Sequence, residues 1–236
     1  MIINCAAFTN VDLAEKYKKN CIEVNYYSII NLAKLCKKNR IILVHFSTDY
    51  VFDGKKNSFY NERSKTNPLN YYGLTKLKAD NAILKIKPPG IIIRTSWVYS
   101  IYGNNFVKTI LQLLTNNKEI NVVKDQFGSP TSAKDIADVL IKILYSRNLH
   151  NLLRNVSIYN LSGNIRISWY EFACEILKYS KINKKINPIS SHEYKFNTLR
   201  PKNSSLECSK IIKRFNIKIP KWNNSLKKCI MNMSKK

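Results

Sequence analysis

Ile41-Ile-Leu-Val-His-Phe46, followed at once by Ser47-Thr-Asp-Tyr-Val-Phe-Asp-Gly54, is the stretch on which the fold is read. Its first half is a short apolar run without alternation, as expected of a parallel strand covered on both faces. Its second half turns polar and places Ser47, Thr48 and Asp49 where such a strand ends. Ligands of open α/β sheets lie just beyond the carboxyl ends of the strands, so these side chains stand where a substrate would. An ordinary polar loop remains the plainer reading of the segment taken alone.

The same texture extends to both sides. Met1–Phe8 is a short apolar segment, Asn10 and Asp12 can cap a helix, and a helical pattern runs on to about Lys38. Ile29, Ile30, Ala33 and Cys36 form its apolar stripe. Downstream, Pro68 and Asn70 precede a helix from about Tyr71 to Ile86, and Pro88–Gly90 closes that unit. Ile91–Arg94 predicts the next buried strand and Asn105–Leu114 the next helix. Strands alternating with helices predict an α/β fold, a doubly wound parallel sheet.

From about residue 120 the pattern loosens. Ile120–Val123 reads as a strand, Asp125–Thr131 as a loop and Ala133–Tyr145 as an amphipathic helix. Ser157–Leu161 reads as a further strand, before a helix from Ser168 to about Tyr179 with Trp169, Phe172, Ala173 and Ile176 on one face. A Pro/Asn/Ser-rich loop and two short helices around Pro220 complete the chain. The expected organisation is a nucleotide-binding core over 1–120 and a smaller substrate-binding portion over 121–236, interleaved with the last core strand.

Composition excludes several classes. An apolar fraction of 44% with 11% aromatics is not that of a disordered chain. No apolar run approaches the ~18–20 residues that cross a bilayer, and Met1–Thr9 is too short and too soon polar for a signal peptide. The expectation is a cytoplasmic protein with no membrane partner. The six cysteines show no C-x-x-C spacing, which predicts reduced thiols rather than zinc ligands or disulfides. His45, His150 and His192 are far apart, so no metal centre is expected either. The net charge of +25 invites a nucleic-acid reading, but 32 of the 40 basic residues are Lys and 8 are Arg. Base recognition favours Arg, so no specific nucleic-acid partner is expected. Attraction to acidic, diphosphate-bearing ligands is the milder consequence.

Two further segments carry chemistry. Tyr72-Gly-Leu-Thr-Lys76 opens a helix and puts Tyr72 and Lys76 on one face. A phenol near pKa ~10 is a poor acid-base group at neutral pH, and a nearby ammonium stabilises its phenolate. In so Lys-rich a chain the spacing alone is nearly worthless. Arg94-Thr-Ser-Trp97-Val-Tyr99 follows the next strand, and a Trp there can wall a sugar. Taken alone, Trp97 reads better as a core aromatic.

Jointly, Ser47–Gly54, Tyr72-x-x-x-Lys76 and Arg94–Tyr99 resemble the extended short-chain dehydrogenase/reductases and, within them, the dTDP-4-dehydrorhamnose reductase family. Asn4-Cys-Ala-Ala-Phe-Thr9, Gly103–Thr109, Asp125–Thr131, Ser168–Phe172 and Arg200-Pro-x-Asn-Ser204 are similar as well, so the likeness runs almost end to end. Tyr50 after Thr48-Asp49 favours the reductases over the sugar-nucleotide dehydratases, which carry Glu there. Cys5 and Ser100 are tolerable departures. The resemblance implies a Rossmann-type sheet and reduction of dTDP-4-dehydro-L-rhamnose to dTDP-L-rhamnose by NADPH (or NADH), in cell-surface polysaccharide biosynthesis. It implies Tyr72, Lys76 and Thr48 as catalytic residues, with Lys76 lowering the Tyr72 pKa. It implies Ala7, Phe8, Thr9, Phe46, Tyr72 and Lys76 around the cofactor, and Thr48, Asp49 and Trp97 on the nucleotide-sugar substrate. Mg2+ enters by the same resemblance, with no ligands assignable.

The largest departure concerns the family's first βαβ unit. None of the six glycines forms a G-x-G, and the likeness begins at the family's fourth strand. The expectation is that the first βαβ unit is missing, so that a complementing N-terminal fragment or a homodimer is a candidate partner. The alternative is a non-catalytic relative of the same fold, serving as a binding or regulatory subunit or surviving as a decaying fragment.

Overall fold

The structure is a computed structural model and describes residues 1–146, 149, 154–194 and 197–233. His150 lies outside the described residues. The chain begins with β1 (Ile2–Asn4), followed by α1 (Val11–Lys16), α2 (Lys18–Ile22), a π-helical turn (Glu23–Tyr27) and α3 (Ser28–Lys38). The long helix expected here is thus broken into pieces. Asn10 caps the first of them, its side chain accepting from Leu13 N at 2.9 Å.

β2 (Leu43–Thr48), a 3-10 turn (Asp49–Val51), α4 (Tyr71–Ile86) and β3 (Gly90–Thr95) follow. Then come β4 (Val98–Tyr99), α5 (Phe106–Asn116), β5 (Glu119–Val123), β6 (Phe127–Gly128), β7 (Thr131–Ser132) and α6 (Ala133–Leu144). β8 (Ser157–Asn160), β9 (Ile167–Ser168), α7 (Trp169–Ser180), β10 (Lys185–Ile189), α8 (Ser209–Phe215) and α9 (Trp222–Met233) end the described chain.

The main sheet has the order β1-β2-β3-β8, every pair parallel. Both faces are covered, which is why its strands are apolar without alternation. Val44, Ile91 and Ile93 pack against Val139 and Leu140 of α6 and Ile211 of α8. Leu43 and Ile92 pack against Ile29, Ala33 and Cys36 of α3 and Ala79 and Ile83 of α4. Each such fully buried aliphatic side chain contributes about 1.5–3 kcal/mol.

A second body is built on α5, α7, α9 and the parallel pair β5–β10. Its core is Tyr99, Ile110, Leu114, Phe172, Ile176 and Leu226, with Trp97, Phe106, Trp169 and Trp222 packed on it. β10 was not expected from the sequence. Pro188 lies within it, and its partner is more than sixty residues away.

All six cysteines are free. Among the described residues no helix is long and apolar enough to cross a membrane. Nor do three His, Cys, Asp or Glu side chains come together among the described residues.

Candidate active site

Thr48 ends β2, beside Thr95 at the end of β3. It leads directly into the 3-10 turn, where its hydroxyl oxygen accepts from Tyr50 N at 3.2 Å and its hydrogen goes to Asp49 Oδ1 at 3.1 Å. α4 starts just above this turn. Asn70 caps it, accepting from Gly73 N at 2.9 Å. The turn and the helix meet at Gly73, where an added Cβ would lie 2.2 Å from the Tyr50 carbonyl oxygen. Glycine at that position is therefore what lets the Thr48-Asp49 turn sit against the first turn of α4.

The result brings Thr48 and Tyr72 together, although they are far apart in sequence. Burial pushes the Tyr72 phenol above the usual tyrosine range, and Thr48 pulls the other way through a side-chain hydrogen bond. Tyr50 supports the phenol ring edge-on, at 6.1 Å between ring centroids. Asp49 is 3% exposed, and burial raises its carboxyl to about 7.

One turn further along α4, Lys76 is 2% exposed. Its ammonium donates to the Phe46 carbonyl at 2.6 Å and lies 3.3 Å from His45 Nε2. Burial draws its pKa down to about 8. The expectation that Lys76 lowers the Tyr72 pKa does not describe this arrangement. The ammonium is fastened to β2, and for the phenol desolvation outweighs the hydrogen bond to Thr48.

The 7–9 segment lies beyond β1 and is held by a residue the sequence reading passed over. Asn25, fully buried in the π-helical turn, accepts from Phe8 N at 2.8 Å and donates to Phe8 O at 3.0 Å. The same amide reaches Thr75 Oγ1 at 3.2 Å, next to Lys76. Ala7, Phe8 and Thr9 are thereby fixed to the helix that carries Tyr72 and Lys76. A signal was available, because Asn25 continues the Ile29/Ala33/Cys36 stripe at helical spacing, a polar residue in an apolar row. Phe46 contributes its backbone carbonyl to Lys76, while its ring packs on the opposite face of the sheet.

Trp97 follows β3 and adopts a left-handed backbone, φ 46°. Its indole stacks on Trp169 with 3.4 Å between centroids and 7° between planes. Gly128 makes room for it, since a Cβ there would lie 2.2 Å from the indole. Trp97 thus belongs to the aromatic body, at the carboxyl side of the sheet, rather than to the hydrogen-bonded Thr48–Tyr72 group. The 200–204 segment closes the same side. Arg200 pairs with Asp12 at 2.8 Å and donates to the Tyr50 hydroxyl at 3.3 Å, and Asn203 donates to the carbonyls of Lys56 and Ser58.

Polar side chains are buried at these strand ends, where Ser47 meets Asp80, Asp49 meets Ser204, and Thr95 Oγ1 has no hydrogen-bond partner. Such groups are costly unless something polar meets them. Their place is where a parallel sheet receives nucleotide ligands, so the residues present fit a nicotinamide nucleotide and a sugar.

Comparison with known proteins agrees with this geometry. The family model described as RmlD substrate binding domain matches residues 1–235. The dTDP-4-dehydrorhamnose reductase of Sinorhizobium fredii is 39% identical over 235 residues, covering 98% of this chain and 79% of that protein. This chain belongs to the dTDP-4-dehydrorhamnose reductase family. Solved structures of the family superimpose closely. The reductase of Bacillus anthracis, solved in complex with NADP, gives a TM-score of 0.88 at 35% identity, over 98% of this chain and 80% of that one. The orthologue from Clostridium acetobutylicum gives 0.90 at 35% identity, with the same coverage. This chain has the family's α/β fold, a parallel sheet covered by helices on both faces.

Proposed function

We propose that this chain reduces the 4-keto group of dTDP-4-dehydro-L-rhamnose to give dTDP-L-rhamnose, with NADPH as the reductant. The observation that carries the reading is the meeting of Thr48 and Tyr72 at the end of β2, with Lys76 fixed one helical turn away. Bound NADPH would supply the hydride. Everything else falls to the chain's own residues.

Tyr72 donates the proton that the forming alkoxide needs. A phenol held above its ordinary pKa by burial stays protonated across the neutral range, which is the form a proton donor requires. Thr48 offers its hydroxyl hydrogen to the substrate's carbonyl oxygen, exchanging its present acceptor, Asp49 Oδ1, for the developing charge. Lys76 holds the nicotinamide ribose, and its positive charge stabilises the phenolate left on Tyr72 once the proton has passed to the alkoxide. Ala7, Phe8, Thr9 and Phe46 line the cofactor. Asp49 and Trp97 position the sugar, the indole as an apolar wall.

In this reading residues 1–120 hold the cofactor and 121–236 supply most of the sugar side. The protein works in the cytoplasm, and its product feeds cell-surface polysaccharide. A second copy, or a complementing segment, would pair along the outer edge of β1, whose described sheet neighbour is β2 alone. The test is direct. Incubation of the full chain with NADPH and dTDP-4-dehydro-L-rhamnose should consume NADPH and yield dTDP-L-rhamnose in equal amounts. Absence of turnover by folded protein that binds both ligands would refute the reading.

A further inference from the structure

Alternate residues of β2 face opposite helix layers. Leu43 packs with Ala79 and Ile83 of α4, and two residues on, in the same layer, stands His45. Its side chain is fully buried at a place where an aliphatic residue would suit the helix, and its cross-strand neighbour on β3 is the apolar Ile92. An imidazole buried there needs partners for both nitrogens. It has them. Nε2 lies 3.3 Å from Lys76 Nζ, and Nδ1 lies 3.1 Å from the Asn4 side-chain amide at the end of β1.

We propose that His45 is a positioning residue for the reduction, its neutral ring holding the Lys76 side chain against β2 while the Asn4 amide partners the other ring nitrogen in either tautomer. This rests on the reading of Lys76 given above.

The charges around Lys76 leave it little else. Asp80, one turn along α4, is tied to Arg94 of β3 at 3.0 Å. Tyr72 lies one turn back, the Cys21 thiol faces the site from α2, and Asp49 faces the phenol from the 3-10 turn. Glu15 of α1 is engaged by Tyr71 N at 2.7 Å. From α3 come Ile29, Ala33 and the Cys36 thiol, and from the π-helical turn the neutral Asn25. Among the described residues no carboxylate stands within 4.0 Å of Lys76. What serves its ammonium is two neutral acceptors, the Phe46 carbonyl and His45 Nε2.

The hydrogens then follow. An ammonium only donates, so beside charged Lys76 the Nε2 atom must accept, Nδ1 carries the hydrogen, and Asn4 turns its oxygen to it. Beside the neutral amine the opposite pattern fits. Nε2–H donates to the amine, Nδ1 accepts from Asn4 Nδ2, and Asn4 Oδ1 takes the Ala6 N–H at 3.3 Å. Both charge states of Lys76 thus keep a hydrogen-bonded partner in the same place. His45 itself stays neutral throughout, because burial and then the Lys76 charge hold its pKa well below the ordinary histidine value.

The test reads Lys76 directly. Trace labelling of the full chain with acetic anhydride across pH, with the Lys76 peptide measured by mass spectrometry, gives the titration of its amine. In the unaltered protein the midpoint is expected at about 8. His45→Leu should lower it by about one pH unit, since a charged donor loses an acceptor, and His45→Gln, which keeps one, should restore it. The alkaline limb of kcat/KM should move in step. A merely structural role would lower melting temperature and rate at every pH and leave both midpoints in place.

Should the leucine variant not fold, the histidine nitrogens of the unaltered chain still decide, by long-range proton–nitrogen NMR. The His45 hydrogen should sit on Nδ1 below the Lys76 midpoint and on Nε2 above it. An unmoved Lys76 titration in folded His45→Leu, a glutamine variant behaving like leucine, or a His45 tautomer indifferent to Lys76 would each overturn the proposal. A chain that titrates as expected but does not reduce the sugar nucleotide would overturn the function, not the pairing.

Discussion

The two halves of this molecule bury different things. Around α4 and the ends of β2 and β3 the interior holds Asn25, His45, Thr48, Asp49, Lys76, Asp80 and Arg94. Around α5, α7 and α9 it holds rings and aliphatics, with Trp97 and Trp169 stacked face to face and Phe172 fully enclosed. Burying polar groups is unfavourable unless each is met, and Thr95 Oγ1 at the end of β3 is not. The first half is arranged for chemistry at a cost in stability, and the second half holds that cost in check by packing. Substitutions in the two halves should therefore separate activity from stability.

Tyr72→Phe is expected to show the largest separation. It removes the transferable proton and little volume, so turnover should fall by about 10²–10⁴-fold while the melting temperature barely changes. A matched collapse in melting temperature would make Tyr72 a packing residue instead. Phe172→Ala should do the converse. Phe172 touches Trp97, Tyr99, Phe106, Trp169 and Trp222, and truncating such a side chain costs about 3–5 kcal/mol. For a domain of this size that lowers the melting temperature by roughly 6–20 °C, with kcat of the folded fraction largely kept below the transition. A kcat loss without destabilisation would break the division between the halves.

This division also explains what the sequence disclosed. α4 was legible to the residue because Asn70 caps it and Pro88–Gly90 follows it, both local signals. β2 and β3 were legible because strands covered on both faces are unbroken apolar runs. β10 was not, since Lys185-Ile-Asn-Pro-Ile189 carries a lysine and a proline and gains its place only from a distant partner. The site divides likewise. Thr48, Tyr72 and Lys76 stood out through motif and spacing, but His45 disappeared inside an apolar run. A polar residue there reveals its role only through partners, and Asn4 and Lys76 come from other elements. The direction of the Tyr72 shift was likewise set by burial, which no spacing discloses.

Thr48→Val sharpens the first half further. The hydroxyl is exchanged for a methyl of similar shape, and one hydrogen bond to a developing oxyanion is lost. Turnover should slow by roughly 10²-fold, with binding of the nucleotide sugar little altered. An unchanged kcat would remove Thr48 from the reaction and leave it as the cap of the Asp49–Val51 turn, where it accepts from Tyr50 N.

Asp49→Asn is expected to give the smallest effect, and its sign tests whether the polar half really sacrifices stability. Burial raises the Asp49 carboxyl from its ordinary 3.8 to about 7. Between those values the unfolded chain has released this proton and the folded chain keeps it. The stability contributed by Asp49 therefore falls as pH rises from about 4 to about 7, and is constant above. Asparagine does not titrate, and its amide oxygen can still accept from the Thr48 hydroxyl. The variant's advantage over the parent should thus grow across that window and level off above it. Lost charge-assisted hydrogen bonds offset part of the desolvation relieved, which leaves a net gain on the order of 1 kcal/mol, or about 2–4 °C. Melting curves of the two proteins at several pH values from 4 to 8 measure it. A difference that is flat with pH, or that favours the parent above neutrality, would mean that the carboxylate is satisfied where it lies, and that the polar half of the molecule carries no such burden.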